Sequence, residues 1–206
     1  MDATSSTKKP YHHGDLREAL LDMARTMIAE EGVEAVTMRG LSRRVGVSRT
    51  APYRHFEDKA TLLAAVAQQG FEQLNEAMRQ VREDHADLSA IDRFEKMGIA
   101  YARFAVANPT AYRLMFGLDA IQGDEYPTLN EVINTTHQEL ISIIRECKEA
   151  GEITNWRTRD VALTVWSACH GLALLMIDGR LPDVEASVIN QMSAIVRAGL
   201  VSGPDS

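Results

Sequence analysis

The chain has 206 residues, 45% hydrophobic and 25% charged, with a formal net charge of −7. That length can bury a sizeable core in one or two domains, and the composition is that of an ordinary globular chain rather than a disordered or fibrous one. No run approaches the roughly 18 consecutive apolar residues of a membrane span, and MDATSSTKKP has no apolar stretch behind its lysines to act as a secretory signal.

The charge is uneven. Residues 1–62 carry ten basic and nine acidic side chains, whereas residues 63–206 carry twelve and twenty. An acidic body is repelled by nucleic acid, so any such contact is confined to the N-terminal part. Cys147 and Cys169 lack metal-ligand spacing and are expected as free thiols in a reducing cytoplasm.

In chain order, residues 1–13 read as a polar arm, with Lys8 and Lys9 either reaching an adjacent groove or serving no role. Leu16, Leu20, Met23 and Met27 recur at helical spacing up to Gly32. Residues 37–59, TMRGLSRRVGVSRTAPYRHFEDK, then read as two short helices about a tight turn. Thr37 caps the first, whose Leu41 and Val45 share a face. Gly46-Val47 breaks it, and Ser48 is expected to cap the second, which offers Arg49, Thr50, Tyr53, Arg54 and His55. Helix, Gly-containing turn and helix form the helix-turn-helix pattern, and the second helix is the one that reads the major groove. Six basic against two acidic residues give this stretch a net charge of +4, suited to phosphate. On charge alone, a solvated basic face explains it equally well.

A long helix follows from Glu57 or Asp58 to about 84, then one from about 88 to 107, which Asn108-Pro109 ends. Pro109 opens a short helix containing Tyr112, Met115 and Phe116, and residues 117–127 read as a loop and candidate lid. Three further periodic segments end near Gly151, Gly179 and Gly199. The expected fold is all-α with about nine helices: an arm (1–13), a helix-turn-helix domain (14–60) and a C-terminal helical domain (61–206).

Nothing supports an enzyme. There is no Ser-His-Asp or Cys-His set in recognisable context, no Gly-rich phosphate loop and no His-x-x-x-His or clustered-cysteine metal site, so neither metal nor cofactor is expected.

Residues 19–63, ALLDMARTMIAEEGVEAVTMRGLSRRVGVSRTAPYRHFEDKATLL, resemble the TetR family of bacterial one-component regulators. Gly32, Thr37, Arg39, Leu41, Gly46-Val47-Ser48, Tyr53-Arg54-His55-Phe56, Lys59 and Leu62 carry the resemblance. The YHHGDLREALL segment and WSACHG (Trp166 to Gly171) resemble a subgroup with a Trp-His-Gly motif. The resemblance implies a homodimer that binds a double-stranded DNA operator, holds a small-molecule effector of unknown identity in its C-terminal domain, represses transcription and leaves the operator when the effector binds. It implies no membrane association. Activation instead of repression, and a helical interaction protein without DNA binding, remain open at this level.

Pro52 departs from the family pattern and is expected to shorten or tilt the recognition helix. Arg39 and Arg49 suit guanine, whose O6 and N7 a guanidinium pairs together, and Thr50 suits a thymine methyl or a phosphate. The resemblance gives Tyr53, His55 and Lys59 phosphate contacts, while Thr37 and Ser48 set helix N-termini against phosphate. The Tyr53 ring is alternatively packed with only its hydroxyl outside. Arg43 and Arg44 are expected to be solvated, and Phe56 to be core. In the C-terminal domain Tyr101, Phe104, Tyr112, Phe116, Trp166 and His170 fall at inward helical positions and are the candidate effector contacts, with ordinary core packing as the alternative. Small residues on the last two helices, Gly171 and Gly199 among them, suit a four-helix dimer interface or packing within one subunit.

Overall fold

A computed structural model describes residues 13–117, 125–181 and 187–202. Eight α-helices are present among them: α1 (His13–Glu31), α2 (Met38–Val45), α3 (Lys59–Asp84), α4 (Ala90–Ala107), α5 (Pro109–Gly117), α6 (Pro127–Glu149), α7 (Thr158–Ile177) and α8 (Ser187–Ser202), with 3-10 turns at Val33–Ala35 and Pro52–Arg54. No strand occurs among the described residues. The arm residues Lys8 and Lys9, and most of the loop expected over 117–127, lie outside them. The chain divides into two compact units, Met1–Val66 and Ala67–Ser206. The division falls after Leu62, Leu63 and Val66, which are buried, and so lies a few residues beyond the expected boundary at 60–61.

In the first unit α1 buries Leu20, Leu21, Ala24, Met27 and Ile28. Of the expected stripe, Leu20 and Met27 are buried while Leu16 and Met23 are half-buried; Leu21, Ala24 and Ile28 complete the apolar face. Thr37 caps α2, its hydroxyl accepting from Gly40 N at 3.0 Å. Gly46 ends α2 at φ 80°, ψ 31°, a left-handed conformation that glycine adopts without a Cβ penalty. Asp58 caps α3: its carboxylate accepts from Thr61 N at 2.7 Å and from the Thr61 hydroxyl at 2.9 Å. Those bonds hold its pKa below the usual carboxylate value. Phe56 is buried and lies under the Arg17 guanidinium, 5.4 Å from the ring centroid.

In the second unit α4 packs against α6, α7 and α8. Ser89 caps α4 by accepting from Asp92 N, and Pro109 opens α5 directly after Asn108. Arg82 of α3 and Arg93 of α4 converge on Glu146 of α6, and Arg82 also reaches Glu139. Each of these side chains is more than half buried, where a shared partner satisfies charges that would otherwise be costly.

Candidate nucleic-acid interface and effector cavity

The expected recognition helix is not an α-helix. From Ser48 onward the backbone closes i to i+3 turns: Ala51 N donates to Ser48 O, Arg54 N to Ala51 O and His55 N to Pro52 O. The cause lies in Pro52, which has no N–H to give to Ser48 O and so leaves that carbonyl to Ala51. Among the described residues the Ser48 hydroxyl caps no helix; it lies 3.3 Å from the Thr50 hydroxyl.

The side chains this turn presents are largely in solvent. Tyr53 is 55% exposed, which decides against a ring packed away. Arg49, Thr50 and Arg54 are exposed and His55 is half-buried. Arg39 and Arg43, at i and i+4 on α2, line one open cleft with Arg49, over a floor of Thr37, Gly40, Ser42 and Val47. Its volume is about 380 Å³. These three arginines have no hydrogen-bond or ion-pair partner among the described residues. Arg43 is exposed, as expected, and its place on the cleft follows from the i,i+4 spacing from Arg39. Arg44 differs again: it pairs with both Glu30 and Glu31 at the end of α1. Lys59 is 3.7 Å from the Glu34 carboxylate and donates to the Glu34 carbonyl at 3.4 Å, an exposed pairing worth little.

The second unit holds a part-open cavity of about 390 Å³. Phe71 and Met78 of α3, Phe94, Met97, Gly98 and Tyr101 of α4, Met115 and Phe116 of α5, and Val165, Trp166 and Cys169 of α7 form most of its wall. Helix α6 adds Leu129, Asn130, Ile133, Thr136, His137 and Leu140. That 129–133–136–140 rhythm is the lining face of an amphipathic helix, legible in sequence only as packing.

Of the expected effector contacts, Tyr101, Phe116 and Trp166 line the cavity. Tyr112 and His170 stand behind Tyr101. The Tyr101 and Tyr112 hydroxyls are 2.7 Å apart, and they lie 3.2 and 2.5 Å from His170 Nδ1. Phe104 is not among the lining residues; its carbonyl accepts from the Asn108 backbone and side chain. His137 packs edge-on against Trp166, with ring centroids 5.4 Å apart.

The buried titratable groups in and behind the wall are held in their uncharged forms. Burial pushes the Tyr101 phenol up to about 12, partly offset by hydrogen bonds from Tyr112 and Trp166, and pushes Tyr112 up as well. Burial lowers the His170 pKa and raises the Cys169 thiol to about 11, so neither a cation nor a thiolate forms there at neutral pH.

Two family descriptions match the chain: Bacterial regulatory proteins, tetR family, over residues 20–66, and Tetracyclin repressor-like, C-terminal domain, over residues 94–195. Nucleoid occlusion factor SlmA of Aliivibrio fischeri (strain MJ11) is 28% identical over 147 residues, 70% of this chain and 72% of that protein. A solved structure of a protein with unknown function from Rhodococcus sp. RHA1 is 31% identical, with a TM-score of 0.83 over 94% of this chain and 100% of that one. The transcriptional regulator FadR from Bacillus subtilis, solved in complex with stearoyl-CoA, shares the fold at 18% identity, with a TM-score of 0.70 over 91% of this chain and 99% of its own. With residues 20–66 and 94–195 both matched, the chain belongs to the TetR family of transcriptional regulators.

Proposed function

We propose that the protein is a cytoplasmic, homodimeric repressor that binds a palindromic operator and leaves it when a small molecule fills the cavity of its second unit. The observation that carries this reading is the pairing, in one chain, of an unpartnered arginine cleft with a largely apolar cavity. Arg39 and Arg49 read guanine. Thr37, Arg43, Ser48, Thr50, Tyr53, Arg54, His55 and Lys59 hold phosphate or a flanking base. Tyr101, Phe116 and Trp166 touch the effector, and Tyr112 and His170 fix Tyr101. Trp166 and His170, with centroids 6.1 Å apart, carry the proposed Trp-His-Gly subgroup membership.

Helix α7 supports the dimer. It has a mean hydropathy of 1.6 over its most apolar 18-residue window and is long enough to cross a membrane, yet only 28% of that window is buried. Leu163 and Leu175 on α7 and Ile195 on α8 are exposed. On this reading a second copy of the chain, and not a bilayer, covers them. Nothing within 4 Å crowds Gly171 or Gly199, leaving room for close helix approach.

The relative named as a nucleoid occlusion factor favours a second reading, in which the DNA-bound dimer acts in nucleoid occlusion. Selection of bound sequences from a random duplex pool at near-physiological salt tests the operator reading. Enrichment of a palindrome supports it, and salt-sensitive binding without enrichment contradicts it.

A further inference from the structure

The cavity's chemistry restricts what it can hold. No lysine, arginine, aspartate or glutamate is among the described residues that line it. The two internal segments beyond the described residues, 118–124 and 182–186, contain no lysine or arginine either. An ionised carboxylate or phosphate drawn against the apolar wall would find no lysine or arginine there, and an unpaired buried charge is among the most costly arrangements in a protein.

The polar groups are also segregated. Phe94, Met97, Tyr101, Met115 and Leu129 are buried and make the deep wall apolar. Asn130 and His137 lie two turns apart on α6, at i and i+7, on one edge of its lining face. Asn130 is half-buried and His137 exposed, so this edge is the more solvent-accessible one. Trp166, 36% exposed, joins them through its contact with His137. Thioether side chains at Met97 and Met115 adapt to flat or irregular apolar shapes.

We infer that the effector is an uncharged, largely hydrocarbon molecule whose one hydrogen-bonding group sits at the Asn130–His137 edge while its apolar body fills the space between Phe94, Met97 and Met115. This rests on the proposed effector reading and narrows it to neutral amphiphiles, excluding fatty acids and their thioesters with charged carriers.

Isothermal calorimetry on the full-length protein with two shape-matched probes, biphenylmethanol and biphenylcarboxylate, at neutral pH tests the inference. The alcohol is expected to bind saturably, and the carboxylate about tenfold or more weakly. Asn130→Lys places a cation at the accessible edge and is expected to reverse the order. Ile133→Trp, a second variant at the wall, is expected to abolish binding of both probes; retained binding would place the site elsewhere and overturn the inference. Preference of the unaltered protein for the carboxylate overturns the neutral-ligand inference and leaves the effector reading standing. Binding of neither probe, with the thermal transition unmoved, overturns both.

Discussion

The Tyr112 hydroxyl lies 2.5 Å from His170 Nδ1 although 58 residues separate the two in the chain. Tyr112 is fully buried, and its desolvated hydroxyl is satisfied by this nitrogen together with the Tyr101 hydroxyl 2.7 Å away. Tyr112→Phe is expected to cost about 1 kcal/mol of stability, a modest loss because Tyr101 remains 3.2 Å from the same nitrogen. A double-mutant cycle with His170→Gln, read by urea melts, should show non-additive losses. Additive ones would mean that the contact carries no energy.

Burial holds His170 below its ordinary 6.5. Between that value and the lowered one, the unfolded chain binds more protons than the folded chain. The contribution of His170 to stability is therefore complete above the unfolded value and is lost as pH falls through the folded one. Between about pH 7.5 and about pH 5.5 the thermal midpoint should fall further for the unaltered protein than for His170→Gln. Equal slopes would contradict the burial effect.

The three unpartnered arginines and Arg44 are expected to behave differently. Arg49→Ala should weaken operator binding by about 1–3 kcal/mol and relax preference at one base pair, while Arg43→Ala should weaken all sequences alike and lower the salt slope by about one. Arg44, paired with Glu30 and Glu31, should leave both salt slope and base preference unchanged when replaced by alanine. Binding titrations across a salt series separate these outcomes.

Pro52→Ala restores an N–H at position 52 that can donate to Ser48 O. The i to i+3 turns over 48–55 should convert to an α-helical turn, protecting that amide from hydrogen exchange and shifting the selected operator sequence. An unprotected amide and an unchanged operator would mean that burial of Pro52, and not its missing donor, sets the turn.

Gly70 of α3 packs closely against Met115 of α5. A Cβ there would lie 2.7 Å from Met115 Sδ and 2.9 Å from its Cγ. Alanine's helix propensity favours Gly70→Ala by about 1 kcal/mol, but overpacking costs about 1–3, so a net loss of about 1 kcal/mol is expected. Pairing it with Met115→Ala should lose less than the sum of the single changes, measurable by thermal melts. Simple additivity would mean that the approach is not tight.

Much of this protein is written in short-range chemistry. The all-α class, the Thr37 cap, the Gly46 break, the start of α5 at Pro109 and the basic stretch at 37–59 each depend on residues within a turn or two of one another, which the sequence states directly. The sequence also marked Pro52 as a disruption. What it did not carry is whatever depends on partners far along the chain. Arg43 and Arg44 are adjacent and identical, yet one lines an open cleft with Arg49 and the other is engaged by the end of α1. Tyr101, Phe104 and Tyr112 have similar inward spacing, yet one walls the cavity, one lies outside it and one stands behind it. A cavity is space that four or five helices fail to fill, and an ion pair is a choice among charged neighbours. Both are settled only when segments dozens of residues apart pack together, because burial and Coulomb energies depend on distance in space and not along the chain.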